Sequence, residues 1–424
     1  MSSINNNPTK NDAFRVYIIF SFLWRFGLTL AFTVNMVYLV TVMHLDPLQM
    51  VLVGTALELS AFLFEVPTGV VADVYSRRLS VIIGVALMGL SFFIFVVPSF
   101  AVILFSQVVL GLGWTFISGA ISAWLVDEIG EEPAGSAFIR SSQASQIAGA
   151  VGIVISIVLA LIDLRLPIVA AGISLLLVSL YMIVAMKETG FQPAPKGERT
   201  TFQTMFHTTA EGMRTIRGKP ILLTLMAAIF VWGAFSEGYD RLWTLHILEN
   251  FSLPQLGNLD VVIWFGVISL LGMPIGLATT EFVRRRVQVA DQVAIARTLI
   301  RASIVLMAAL VVFALAGQFW LALIAIWAIG AMRGINGPLR EAWINQGLDP
   351  KVRATVISMT SQMDAFGQIA GGPGIGLIGQ QFGVRIALAL GAVILAPVIG
   401  LYSRTIRQHG RLLAAIPEST SLES

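Results

Sequence analysis

The feature that most constrains this chain is a series of long apolar stretches recurring along almost its whole length. They run at about 15–43, 48–70, 80–97, 101–126, 142–162, 166–186, 220–247, 260–280, 295–316, 319–340, 355–379 and 386–403, twelve in all. A helix crosses the hydrocarbon core of a bilayer with about 20 apolar residues. Each stretch is too long for a membrane-spanning strand and none alternates with period two, which argues against a transmembrane barrel. With 56% hydrophobic and only 12% charged residues among 424, a soluble globule, a disordered chain and a coiled coil are excluded. The absence of cysteine removes disulfides, thiolate metal sites and a cysteine nucleophile. The expected fold is an all-α membrane protein with twelve transmembrane helices.

The net charge is only +3, so placement matters more than sum. Residues 1–12 are polar and lack the apolar run and cleavage site of a secretory signal. Arg77, Arg78, Arg140, Lys187, Arg214, Arg217, Lys219, Arg284, Arg285, Arg286, Lys351, Arg353, Arg404, Arg407 and Arg411 fall in alternate loops or the C-terminal tail, whereas the opposite loops hold Arg165 and Arg385. The positive-inside rule then predicts a multi-pass protein of the cytoplasmic (cell inner) membrane with both termini in the cytoplasm. The one long loop, 187–219, carries Pro193, Pro195, Gly197 and mixed charges. It reads as a linker between six-helix bundles at 1–186 and 220–424, the second including the tail. Its segment 202–216 is either a flexible tether or a short amphipathic helix on the membrane surface.

The halves repeat each other. Val66-Pro67-Thr68-Gly69 followed by Arg77-Arg78 matches Met273-Pro274-Ile275-Gly276 followed by Arg284-Arg285, with one offset for proline, glycine and both arginines. Ala123-Trp124 ends span four and Ala342-Trp343 ends span ten. Gln146-Ile147-Ala148-Gly149 matches Gln368-Ile369-Ala370-Gly371. Parallel repeats of this kind place a substrate site near the bilayer midplane, between the halves.

The run Gly69-Val70-Val71-Ala72-Asp73-Val74-Tyr75-Ser76-Arg77-Arg78 resembles the signature of the major facilitator superfamily between spans two and three: glycine, aspartate four on, then a basic pair. Ser76 stands where that family often has glycine. The resemblance implies two pseudo-symmetric six-helix bundles, with spans one, four, seven and ten lining the cavity. It also implies that Gly69 permits close helix approach. Asp73 would face the N-terminus of span eleven at 354–358, where a helix dipole favours an anion, and Arg77 would pair with Asp127. These contacts, with Arg78, would close the cytoplasmic gate. The bland alternative is that Arg77 and Arg78 only anchor topology.

Ionisable groups at membrane depth are costly and usually functional. They are Arg25, Glu58, Glu237, Asp240, Arg241, Arg333 and Asp364, while spans three, six, eight, nine and twelve carry no charge in their apolar centres. At 1.5 Å rise per residue, Arg25 lies roughly 15 Å from the inner edge and Glu58 roughly 16 Å from the outer. Depth therefore predicts an Arg25–Glu58 pair and an Arg333–Asp364 pair. Glu237 and Arg241, four apart, share a face; Asp240 and Arg241 do not. Glu58, Glu237 and Asp364 are candidates to carry a coupling proton, and Glu65 reads as an interface or gate residue. Asn35, Gln107, Gln143, Gln146, Asn336, Gln362 and Gln368 bond between helices or touch substrate. Trp24, Tyr38, Trp114, Trp232 and Tyr239 pack or pad a cavity.

Many proton-coupled members of the family have an arginine in span four before glycines. Here Gly111-Leu112-Gly113 follows Gln107, and Arg333, three before Asn336-Gly337, is the second-half counterpart. Drug exporters resemble each other in a glycine–proline motif on span five. This chain has Gly149 and Gly152 there, and on span eleven Gly371-Gly372-Pro373-Gly374-Ile375-Gly376, which reads as a bending point or a packing kink.

No metalloprotease or hydrolase motif is present and the four histidines are scattered, so an enzyme is not expected. Paired midplane charges suit a carrier better than a channel. The leading expectation is alternating-access, proton-coupled efflux (antiport) of drug-like amphiphiles, by resemblance to exporters. The alternative is a polar or anionic metabolite held by Arg25, Arg241 or Arg333. Expected partners are a small-molecule substrate, protons and lipid. No cofactor, metal or nucleic acid is expected, and the chain is expected to be a monomer.

Overall fold

The computed structural model describes residues 8–192, 214, 218–254, 261–288, 290–346 and 350–414. Most of the surface helix expected at 202–216 lies outside the described residues. Among the described residues the regular structure is helical. The helices are α1 (Pro8–Phe32), α2 (Asn35–Thr41), α3 (Pro47–Val74), α4 (Arg77–Phe95), α5 (Phe100–Ile117), α6 (Ala120–Ile129), α7 (Glu131–Ala160) and α8 (Arg165–Ala185). There follow α9 (Pro220–Asn250), α10 (Val262–Arg286), α11 (Gln292–Leu315), α12 (Phe319–Asn345), α13 (Pro350–Phe382), α14 (Val384–Leu395) and α15 (Pro397–Ala414).

The short helices are pieces of longer spans. α5 and α6 form one span broken at Gly119, whose φ of +73° an L side chain rarely adopts. Among the described residues eleven helical segments are long and apolar enough to cross a membrane. The twelfth expected span is α13, which is long at 33 residues but is not among the eleven. Ser361, Gln362, Asp364, Gln368 and six glycines dilute its apolar character.

Contacts divide the chain into two compact units, Met1–Met205 with Leu253–Leu270, and Phe206–Ser252 with Leu271–Ser424. The first turns of α10 group with the first unit because Gly266 lies against Ile157 of α7. In the first unit, α3 and α5, α4 and α5, and α1 and α7 make the most extensive pairings. Glycine at the contact lets backbones approach: a Cβ on Gly111 would stand 2.7 Å from the Leu57 carbonyl of α3. In hydrocarbon a stray hydroxyl is costly, and Ser60 Oγ donates to the Val108 carbonyl at 2.7 Å while Ser156 Oγ donates to that of Leu30 at 2.7 Å. In the second unit α9 and α13 form the dominant pair.

Candidate functional site

Two groups of polar residues stand out, one in each unit. In the first unit the basic end of α4 is tied down on several sides. Arg77 makes an ion pair with Asp127, as expected, and its guanidinium lies 5.8 Å from the centre of the Phe191 ring. Ser76 caps α4 by accepting from Leu79 N at 2.9 Å and donates to Glu188 Oε2 at 2.6 Å. Glu188 also accepts from Arg78 N at 3.1 Å, and Arg78 Nη2 donates to the Ile183 carbonyl at 2.6 Å.

Glu128 accepts from Thr189 N at 2.6 Å and Gly190 N at 2.7 Å, and Trp124 Nε1 donates to the Lys187 carbonyl at 2.7 Å. Gly190 lies so close to the Asp127 carbonyl that no side chain fits there. Spacing did not reveal this clamp, because its acceptors sit on α6 and just after α8. It explains Ser76: the hydroxyl supplies a cap and a cross-link that glycine lacks. Ser76→Ala is expected to lower stability by about 1 kcal/mol, the usual loss of an N-cap, read as a fall in the midpoint of thermal unfolding.

Two expectations for this region change. A Cβ on Gly69 would meet no atom within 4 Å, so among the described residues it mediates no close helix approach. Arg25 is exposed and Glu58 half-buried, and an ion pair between them is not among those of the described residues. Asp73 is exposed. Glu65 accepts from Ser118 Oγ at 3.1 Å, at the break between α5 and α6.

In the second unit α9 carries two ion pairs on adjacent turns. Glu237, only 1% exposed, accepts from Arg241 Nε at 2.9 Å, the pairing its spacing predicts. Asp240 holds Arg333 of α12 through both carboxylate oxygens, at 2.5 and 2.7 Å. This forked geometry suits guanidinium and carboxylate. It corrects the expected Arg333–Asp364 pair: similar depth fixes height along two helices, not the direction each side chain faces. Asp364 instead accepts from Gln368 Nε2 at 2.9 Å, and its Oδ1 has no partner among the described residues.

Aromatic rings flank these charges. Arg333 lies 5.3 Å from the centre of the Tyr239 ring, and Trp232, Phe235 and Tyr239 make successive ring contacts along α9. The polar helix residues divide. Asn35 accepts from Met36 N and Gln107 donates to Ser106, whereas Asn336, 1% exposed, has no partner among the described residues for either amide atom. Tyr38 is a packing residue, its hydroxyl donating to the Val96 carbonyl at 3.0 Å. Trp24 and Trp114 pack against each other at 5.5 Å.

One residue escaped the sequence reading. Arg340 lies seven residues after Arg333 on α12, 5.5 Å from the centre of the Trp232 ring, and its Nη1 is buried without a partner among the described residues. The signal was the helical spacing of two arginines, hidden because Arg340 stands at the edge of the apolar stretch.

The repeated sequence does not repeat its pairing. Arg284 and Arg285, counterparts of Arg77 and Arg78, both bind Glu281 on their own helix, at 2.7 and 2.5 Å. The glycine-rich run on α13 continues as helix through Pro373. Gly371 meets the Ala234 backbone, a built Cβ standing 2.5 Å from its carbonyl oxygen, while Gly374 meets nothing within 4 Å. Gly372 is buried, as is Gly376.

The sequence profile of the Major Facilitator Superfamily matches residues 16–296. An uncharacterized MFS-type transporter of Bacillus subtilis (strain 168), YxaM, is 24% identical over 362 residues, which cover 84% of this chain and 87% of YxaM. Among solved structures, a mutant of the nucleoside transporter NupG superposes with TM-score 0.73 at 14% identity, covering 92% of this chain and 99% of that one. A bacterial homolog of the human lysosomal transporter Spinster, inward-facing and unoccupied, gives 0.71 at 15% identity, covering 95% and 99%. A POT family transporter bound to a thioalcohol-conjugated peptide gives 0.71 at 13% identity, covering 94% and 96%.

Proposed function

The chain belongs to the major facilitator superfamily, and from that premise we propose that it is a proton-coupled exporter of amphiphilic small molecules working by alternating access. Membership makes it a multi-pass membrane transporter. Substrate, direction and coupling are our reading. The observation that carries it is the second-unit cluster: two ion pairs on α9 set among aromatic rings, beside a carboxylate with one oxygen unpartnered. Apolar rings suit an amphiphile, and the half-buried Asp364, with one oxygen buried without a partner among the described residues, is the kind of carboxylate that binds and releases protons.

Of Glu58, Glu237 and Asp364, we favour Asp364 as the proton carrier, because Glu237 is committed to Arg241. A polar metabolite gripped by Arg241 or Arg333 is less favoured, since carboxylates already neutralise both. The two bundles at 1–186 and 220–424, the linker at 187–219, and cytoplasmic termini in the cell inner membrane belong to the same reading. It is supported by the arginine distribution and the internal repeat.

Gly69, Asp73, Arg77, Arg78 and Asp127 form the gate in this reading, and the Gly371 to Gly376 run lets α13 flex. Asp73→Asn should slow exchange with folded yield unchanged. Exchange at the wild-type rate would count against the gate. The function is tested by expressing the chain in a bacterial host stripped of its exporters and measuring accumulation of a panel of amphiphilic dyes and drugs. Lower accumulation of some compounds, restored by a protonophore and by Asp364→Asn, is expected. Accumulation identical to that of the empty host for every compound contradicts export.

A further inference from the structure

On α12, Asn336, Arg340 and Trp343 are spaced by four and three residues and so share one helical face. Asn336 is 1% exposed and Trp343 3%, and among the described residues neither the Asn336 amide nor Trp343 Nε1 has a hydrogen-bond partner. Tyr402 of α15 packs against Trp343 with the rings tilted and their centres 5.9 Å apart; it is fully buried and its hydroxyl also has no partner among the described residues. The Arg340 guanidinium on the same face lies over Trp232, close enough for its charge to act on both Tyr402 and Asp364. Each unmade bond in an apolar surrounding costs about 1–3 kcal/mol. Three donors left orphaned around one cation are placed to be satisfied by something else.

The internal repeat sharpens the point. Trp124, which occupies the matching position in the first half, donates to the Lys187 carbonyl. Trp343 has no such acceptor among the described residues.

We propose that this face of α12 docks the carboxylate of an amphiphilic organic acid. The inference deepens the transport reading above and rests on it for the ligand being cargo. The chemistry favours a carboxylate. Arg340 stacked on a ring keeps its edge for a forked bond to a planar anion, and Trp343, Tyr402 and Asn336 add neutral donors. One cation with neutral donors matches one negative charge. A phosphate dianion would find too little positive charge and a nearby Asp364. Asp364 does not fill the place itself: it makes no ion pair with Arg340 and its Oδ2 is held by Gln368. Trp232, already in contact with Phe235, offers the apolar part of the ligand a wall.

The test is equilibrium binding to the full chain in phosphatidylcholine nanodiscs, with no gradient, using benzoate, 1-naphthoate and cholate, each against its uncharged alcohol. Wild type should bind at least one acid about tenfold or more above its alcohol, the effect expected of a charge-assisted hydrogen bond. Arg340→Gln should bring acid and alcohol level without changing alcohol binding. Arg340→Lys, which keeps the charge but not the fork, should fall between. Trp343→Phe and Tyr402→Phe should each weaken acid binding severalfold. Equal binding of all three acids and their alcohols by wild type overturns the inference, as does an acid preference that survives Arg340→Gln. So does loss of acid binding when phosphatidylserine is added to the nanodisc, which would reassign the face to a lipid headgroup. Acid binding without transport would leave the site standing and sink the export reading instead.

Discussion

Asp240→Ala is expected to lower the thermal midpoint of the detergent-purified protein sharply and to abolish transport. It leaves Arg333 on α12 without the carboxylate that holds both its nitrogens. Breaking a buried pair by removing one partner costs about 3–5 kcal/mol. Asp240 is partly exposed, with 43% of its side-chain surface accessible, so the lower end of that range applies. Even about 3 kcal/mol is a large share of the 5–15 kcal/mol that typically holds a native protein together. The double variant Asp240→Asn/Arg333→Gln removes both charges and should recover most of the stability but not the transport. Recovery of neither would mean that Asp240 acts through contacts other than Arg333. Full stability of Asp240→Ala would mean that the pair contributes nothing to the fold.

Gly371→Leu is expected to prevent accumulation of folded protein. The α9–α13 pairing brings Gly371 onto the Ala234 backbone, where a built Cβ stands 2.5 Å from the carbonyl oxygen and 2.6 Å from Cα. Gly233 meets the Asp364 carbonyl and Gly367 that of Phe230 on the same seam, so backbone faces backbone and no side chain can swing aside. Overpacking such a contact by one methyl costs about 1–3 kcal/mol, and a leucine adds three more carbons. Gly371→Ala should therefore fold with a reduced thermal midpoint. Gly374→Ala has open space and should keep the wild-type midpoint. If α13 flexes at its glycine run, Gly374→Ala slows exchange all the same. Fluorescence-detected size exclusion and thermal unfolding separate these outcomes.

The twelve long helical segments were legible because apolar length is a property of one segment at a time. α13 marks the edge of that rule: its glycines and polar residues serve the seam with α9 and lower its hydropathy. Pairings within one helix, such as Glu237–Arg241, followed from the helical period. Arg77–Asp127 followed from a recognised motif. Pairings between helices did not follow, because depth fixes height and leaves rotation open. Arg333 therefore faces Asp240 where depth alone had suggested Asp364, and Arg25 is not joined to Glu58. The Glu128 and Glu188 clamp and the orphaned donors around Arg340 depend on tertiary contact alone. The repeat carried one hint: Trp124 and Trp343 correspond in sequence, and only the contrast in their partners gives the second one meaning.

The most direct test of proton-coupled carriage is made in proteoliposomes with a compound selected by the host screen. Wild type should accumulate it against a concentration gradient when a pH gradient is imposed, with a saturable initial rate. Asp364→Asn should still exchange labelled compound at zero gradient but fail to accumulate it. Non-saturable flux through wild type, or accumulation by Asp364→Asn equal to wild type, would contradict the account.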